Sequence, residues 1–362
     1  MKKIISSLCI LMLCAASFAA DLSIDWSINN YAQPTGVDVN ASEFDAVSGE
    51  LLVANYGTDI SIERYNADTG AFITSQALTP AVGSPALVDL SGFSIGAAAN
   101  GNLYLSDYVP ASPLWKTDSL TNGTITNVAS SGNAFPLSRN MSVAGSGADT
   151  YIAVTGTADN GPISIWKADD AGATSFTPWK SITGSTLTPI GAAKAGCAIS
   201  LGDSGGTIPE WVAGADVLGD IHTLRMFKYN SGTDSYDMVK EVGDSTTNYR
   251  CFDVDFDFTA TDTYYPILAV LRVEPSTATP NLPAVDVWKI VTASNELVLA
   301  GSITLTGMNN IFDRGSLAID EATQKIYVTY RGSATNNLCA ARISYTRDDL
   351  PTSSEPSWAL YE

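Results

Sequence analysis

Four cations carry the most suggestive spacing in this chain. Arg139, Lys194, Arg250 and Arg314 each stand shortly before a run of alternating apolar residues. The contexts are Ser-Arg139-Asn-Met-Ser-Val, Ala-Lys194-Ala-Gly-Cys-Ala, Tyr-Arg250-Cys-Phe-Asp-Val and Asp-Arg314-Gly-Ser-Leu-Ala. Aligned on that alternation, the four agree within one residue, and Thr35 and Ser91 fill the place in two further copies. Bases are scarce, 19 Lys and Arg against 38 Asp and Glu, so their recurrence at one position is uneven use. Gathered together, they would form a positive site on a negative body, suited to a carboxylate or sulfate that a guanidinium can fork onto. The competing reading pairs them with Asp253, Asp255, Asp313 and Asp320 nearby, where they would only satisfy strand ends.

A second set, Asn55-Tyr56, Asp107-Tyr108, Arg272 and Arg331, closes apolar runs. Aromatic faces beside polar edges suit a sugar or peptide. Asn and Asp at such places also make ordinary turn hydrogen bonds. Asp253-Val-Asp255-Phe-Asp257 places three carboxylates on one strand face, opposite Val254, Phe256 and Phe258. Calcium is a weak prospect there, because calcium loops usually gather oxygens over a Gly-containing turn. Ion pairing with Arg250 or contact with solvent is the expectation.

No catalytic residue, metal ligand or cofactor is assigned. The single histidine, His222, excludes chemistry that needs two imidazoles. Gly202-Asp-Ser204-Gly-Gly206 looks like a serine nucleophile phrase, yet it fills a hairpin turn and lacks triad partners. Three cysteines, Cys197, Cys251 and Cys339, follow the export segment, an odd number, and the first two expect to be thiols as readily as a disulfide.

The elements that position these residues are strands. Short alternating runs recur between Gly, Asn, Asp, Ser and Pro clusters, and helical periodicity is nearly absent. One phrase repeats, a strand with an aromatic or long residue and then Lys or another large residue. It marks Arg64-Tyr65, Trp115-Lys116, Trp166-Lys167, Phe227-Lys228, Trp288-Lys289 and Arg342-Ile343, at steps of 51 to 61 residues. The aromatics expect to pack blade on blade, with the lysines pointing outward. Each copy has an inner strand (36–39, 93–96, 141–144, 197–201, 252–256, 316–319), a second apolar strand, the aromatic strand and an outer strand. The class is all-β, a six-bladed β-propeller of four-stranded antiparallel blades. The last copy lacks an outer strand, and residues 22–28 supply a spare one, so the N-terminal strand is expected to close the ring in preference to residues 357–361.

Gly49-Glu-Leu-Leu-Val-Ala-Asn55-Tyr-Gly57 and Gly101-Asn-Leu-Tyr-Leu-Ser-Asp107-Tyr, with Ile60-Ser-Ile-Glu-Arg-Tyr-Asn66, resemble strands of the NHL and SMP-30-like (gluconolactonase-like) six-bladed propellers. The resemblance implies fold. SMP-30-like enzymes hold a divalent metal in the channel through Glu, Asn and Asp, a set that Asp38, Ser94, Asn140, Ala198, Asp253 and Ser316 do not reproduce.

Residues 1–19 read as a cleaved export signal: Lys2-Lys3, an apolar stretch from Ile4 to Leu13, and Ser17-Phe18-Ala19 before the cut. Residues 20–348 then form one propeller and 349–362 a tail. A net charge of −19 argues against nucleic acid. No membrane span is expected. The protein is expected to be secreted or periplasmic, a binding module for an anionic or polar extracellular ligand, an acidic glycan or a protein. The alternatives are an SMP-30-like metal-dependent hydrolase, lactonase or lyase, and a structural surface component.

Overall fold

In the computed structural model the described residues are 21–32, 38–56, 61–84, 94–106, 114–118, 120, 123–128, 141–155, 163–182, 198–202, 208–215, 224–243, 251–259, 263–273, 282–311, 315–332 and 337–348. They form six sheets, antiparallel except for one two-residue edge strand. Blade I contains β2 (Asp38–Asp45), β3 (Glu50–Tyr56), β4 (Ser61–Asn66) and β5 (Phe72–Ala77). Blade II contains β7 (Ser94–Ala97), β8 (Leu103–Ser106), β9 (Leu114–Thr117) and β10 (Thr124–Asn127). A two-residue strand, β6 (Thr79–Pro80), adds parallel to its edge. Blade III runs β11 (Met141–Ala144), β12 (Tyr151–Thr155), β13 (Ile163–Ala168) and β14 (Phe176–Ile182). Blade IV runs β15 (Ala198–Gly202), β16 (Trp211–Ala215), β17 (Leu224–Asn230) and β18 (Ser235–Val242). Blade V runs β19 (Cys251–Asp257), β20 (Ile267–Val273), β21 (Pro283–Val291) and β22 (Glu296–Thr304).

Blade VI is assembled from both ends of the chain. Its inner strand is β23 (Gly315–Asp320), followed outward by β24 (Lys325–Arg331) and β25 (Asn337–Ser344), and its outer strand is β1 (Ser23–Ala32). The closing strand is thus the N-terminal one. Asp25 secures it by pairing with Arg342 at 2.9 Å and Lys325 at 3.2 Å. Asn29 ties it to the preceding connection through Gly307 O and Asn309 N. Residues 357–361 lie outside the described residues.

Six apolar clusters hold the ring, one per interface between neighbouring blades. Because each sheet is covered on both faces, second strands such as β8 and β16 are buried at every position, unlike a strand with one wet face. The aromatic series packs as expected. Trp115 lies between blades I and II, Trp166 between II and III, Phe227 between III and IV, and Tyr65 between VI and I. Trp288 is half-buried against the IV–V cluster.

Register refines the repeat. Outer strands bulge opposite the steps Arg64/Tyr65, Ile165/Trp166, Met226/Phe227, Val287/Trp288 and Ile343/Arg342. Tyr65 and Ile343, and not Arg64 and Arg342, therefore stand where Trp166 stands. A bulge at this edge twists the ladder away from any partner strand, which guards the exposed edge. The lysines do not simply point outward. Lys167 and Lys228 pair with Asp149 and Glu210 and lie over the Tyr151 and Trp211 rings at 5.2 and 4.6 Å.

The expected inner strand of blade I was too short and too early. It runs Asp38–Asp45, not 36–39, because Ala-Ser-Glu-Phe-Asp continues the extended run before the Asp45 turn.

Candidate functional site

The six inner strands, β2, β7, β11, β15, β19 and β23, contact one another in sequence around the ring. They enclose a cavity of about 530 Å³, lined by residues of all six blades. It runs along the strands toward the turns that join inner to second strands, reaching Ala46, Ala99, Gly145, Thr259 and Ala322. Its carboxyl groups are Glu43, Asp253, Asp255, Asp320 and Glu321. Among the described residues, no Lys or Arg lines it.

The acids are there for a reason of strand geometry. An inner strand has a sheet partner along one edge only, and the N–H groups of the other edge need acceptors. Side chains of the preceding blade supply them. Glu43 of blade I accepts from Ala97 N at 3.4 Å, and Ser142 of blade III from Leu201 N at 3.0 Å. Asp253 and Asp255 of blade V accept from Leu317 N at 2.8 Å and Ile319 N at 2.9 Å. Ser200 of blade IV donates to Asp255 at 2.9 Å. The single hydroxyl proton of Ser316 is shared between Asp253 at 2.9 Å and Ser42 O, of blade I, at 3.1 Å.

The face predicted for Asp253, Asp255 and Asp257 is realised. Val254, Phe256 and Phe258 pack toward blade IV, and the three acids turn toward blade VI. Their partners differ from the expectation. Asp257 is fully buried and accepts from Tyr345 Oη at 2.5 Å and Arg347 Nε at 2.6 Å. Arg347 lies beyond the last repeat strand, so its role was invisible in the repeat pattern. Among the described residues, no group of three or more His, Cys, Asp or Glu is arranged to hold a metal ion.

Burial makes these acids hard to ionise. Burial, reinforced by the charge of Asp255, pushes Glu43 well above the usual carboxylate range, against the pull of the Phe44 and Ala97 N–H groups. Burial raises Asp255 to about 7, although Ser200 Oγ and Ile319 N–H oppose the rise, and Glu321 and Asp253 add to it. Glu321 is raised by burial too, with Thr259 Oγ1 pulling the other way. A carboxyl that titrates near neutrality can take up and release a proton under ordinary conditions.

Of the predicted site residues, Arg139, Lys194, Arg250, Arg314, Asp107 and Tyr108 lie outside the described residues, as do His222, Cys197, Ser204 and Asn140. Asn55 and Tyr56 end β3, opposite Val39 and Asp38, with side chains outside the description. Arg272 is the penultimate residue of β20, opposite Cys251. Its guanidinium turns outward across its own blade, to Asp286 at 2.7 Å and Ser302 Oγ at 3.1 Å. Arg331 ends β24, half-buried, opposite Leu338. Cys251 and Cys339 are buried thiols outside any disulfide. Glu43 and Glu321 were missed. Glu43 fell in a stretch read as turn, and Glu321 follows an inner strand whose end no local signal marks.

The strand order and interblade packing define an all-β, six-bladed propeller. No family model matches the chain, and no curated protein matches it. Among solved structures it is similar to U3-55K, with a TM-score of 0.49 and 10% identity over 87% of this chain and 98% of that one. The WD40 repeats of RRP9 give a TM-score of 0.47 and 10% identity over 89% of this chain and 100% of that one. At such scores the architecture rests on the strand pairing itself. Among the described residues, no helix is long and apolar enough to cross a membrane.

Proposed function

We propose that the protein is an exported propeller acting as a binding module, which takes an anionic or polar extracellular ligand, an acidic glycan or a protein loop, where its inner strands begin. One observation carries this reading. The inner strands of four consecutive blades start at Met141, Ala198, Cys251 and Gly315, all at the same end of the ring. In sequence, Arg139, Lys194, Arg250 and Arg314 precede those starts by two, four, one and one residues. The spread is wider than the alternation alone suggested, with Lys194 the most distant of the four.

An SMP-30-like metal enzyme is less well supported. Both oxygens of Asp253 and of Asp255 already accept hydrogen bonds, three of them to each from backbone N–H and serine hydroxyl donors. The test is binding to immobilised dextran sulfate and polygalacturonate, and to a glycan array. The Arg139→Ala/Arg250→Ala/Arg314→Ala protein should lose at least tenfold in affinity with its thermal unfolding unchanged. Retained binding would remove the anionic-ligand reading.

A further inference from the structure

Three blades share an arrangement where the third strand meets the head of the second, a lysine over an aromatic ring with an acid beside it. In blade III it is Lys167, Tyr151 and Asp149, the ion pair at 3.2 Å. In blade IV it is Lys228, Trp211 and Glu210, again at 3.2 Å. Both acids belong to their own blade, two residues and one residue ahead of the ring. Blade V departs from this. Lys289 lies opposite Ile267, as Lys167 and Lys228 lie opposite Tyr151 and Trp211, so Tyr265 and Pro266 take the places of the two acids. Tyr265 supplies the ring, 4.8 Å from Nζ, and the acid comes from beyond the last repeat, where Asp348 meets Lys289 at 3.0 Å. This pair is the shortest of the three and the most enclosed. Its side chains are 17% and 14% exposed, against 29% or more in the other two.

We infer that residues 345–348 form a latch, in which Asp348 fills a carboxylate socket on blade V and so secures the chain entering the closing strand. The V–VI seam and the N-terminal strand then loosen together.

The latch is short and fastened at every residue. Tyr345 N donates to Gln324 O at 3.2 Å, and its hydroxyl donates to Asp257. Thr346 Oγ1 accepts from Asp21 N at 3.1 Å, two residues before β1 begins. Arg347 donates to Asp257 and to Glu321 O, in the turn between β23 and β24. Asp348 adds a backbone bond to its ion pair, its carbonyl accepting from Tyr265 N at 2.9 Å. Four consecutive residues thus join blade V, blade VI and the lead into β1. So few residues leave little slack between anchors. Freeing Asp348 returns backbone freedom to its neighbours, and Thr346 then holds Asp21 less of the time.

The experiment is hydrogen–deuterium exchange on the purified full chain, read by peptide mass spectrometry. Lys289→Met removes the charge of the socket and keeps an apolar stem, and Lys289 is no part of blade VI. Amides of residues 23–32 should exchange at least about threefold faster in this protein than in the wild type. Asp348→Ala should give the same rise, and the double variant no more than either alone, because both act through one contact. Lys228→Met, the equivalent change in blade IV, should leave residues 23–32 at the wild-type rate. Peptides from blades II and III, unchanged throughout, report that each variant is folded. Wild-type exchange over residues 23–32 in Lys289→Met or Asp348→Ala, an equal rise in Lys228→Met, or additive effects in the double variant overturns the proposal.

Discussion

Replacing Arg347 by Ala strands a charge in the seam between blades V and VI. The Asp257 side chain is 0% exposed and that of Arg347 7%, and Nε meets Oδ2 at 2.6 Å. The guanidinium also donates to Glu321 O at 2.6 Å. Removing one partner of such a pair costs about 3–5 kcal/mol, chiefly because the remaining ion stays buried and unmatched. Asp257 keeps two donors, Tyr345 Oη and Thr259 N, which places the loss near the lower end, about 3 kcal/mol. Equilibrium urea unfolding, read by tryptophan fluorescence and far-ultraviolet circular dichroism, measures it if the two probes coincide. Asp257→Asn in the Arg347→Ala background should restore a good part of the loss, since no buried charge is left. The coupling between the two changes should exceed about 1.5 kcal/mol. A loss under about 1 kcal/mol, or strictly additive effects, would show that this contact does not hold the seam.

Asp25→Asn should weaken the closing strand at neutral pH and leave it unchanged in acid. Burial tends to raise the Asp25 carboxyl, but hydrogen bonds from Ser344 and Lys325, with the charges of Lys325 and Arg342, outweigh it and hold it below the ordinary 3.8. A lowered carboxyl stabilises above its unfolded value and loses that contribution as pH falls. The variant should therefore cost about 1 kcal/mol at pH 7 and almost nothing at pH 2.5, as unfolding curves at the two values would show. Gly202→Val should cost about 1–3 kcal/mol by overpacking, measured by the same unfolding curves. A Cβ there would lie 2.3 Å from the Phe258 ring, which is itself confined by Trp211 and Phe256.

Most of the wheel was legible because its signals are local. The alternation in Met141–Ala144 and Phe176–Ile182 fixed those strands to the residue. The Gly and Asp turns separated the rest, and the missing sixth outer strand pointed to the N-terminus. The channel was not legible in the same way. Whether Asp255 faces solvent, a metal or Ile319 N depends on the neighbouring blade, about sixty residues away in sequence. Glu43 was hidden by a strand longer than its apolar pattern, and the Asp257 partner by its place beyond the final repeat. Interblade hydrogen bonds leave no periodic trace, because each blade contributes a different residue to the same task.

The claim on which all of this rests is that the N-terminal strand completes the final blade. Ser27 and Ala341 are directly paired between β1 and β25, and opposed Cα atoms in an antiparallel pair lie about 4.5–5.5 Å apart, within reach of a disulfide. Mild oxidation of the Ser27→Cys/Ala341→Cys protein, followed by peptide mapping of the monomer, should recover a covalent link between positions 27 and 341. Absence of that linked peptide, or its appearance only between separate molecules, would contradict the closed ring.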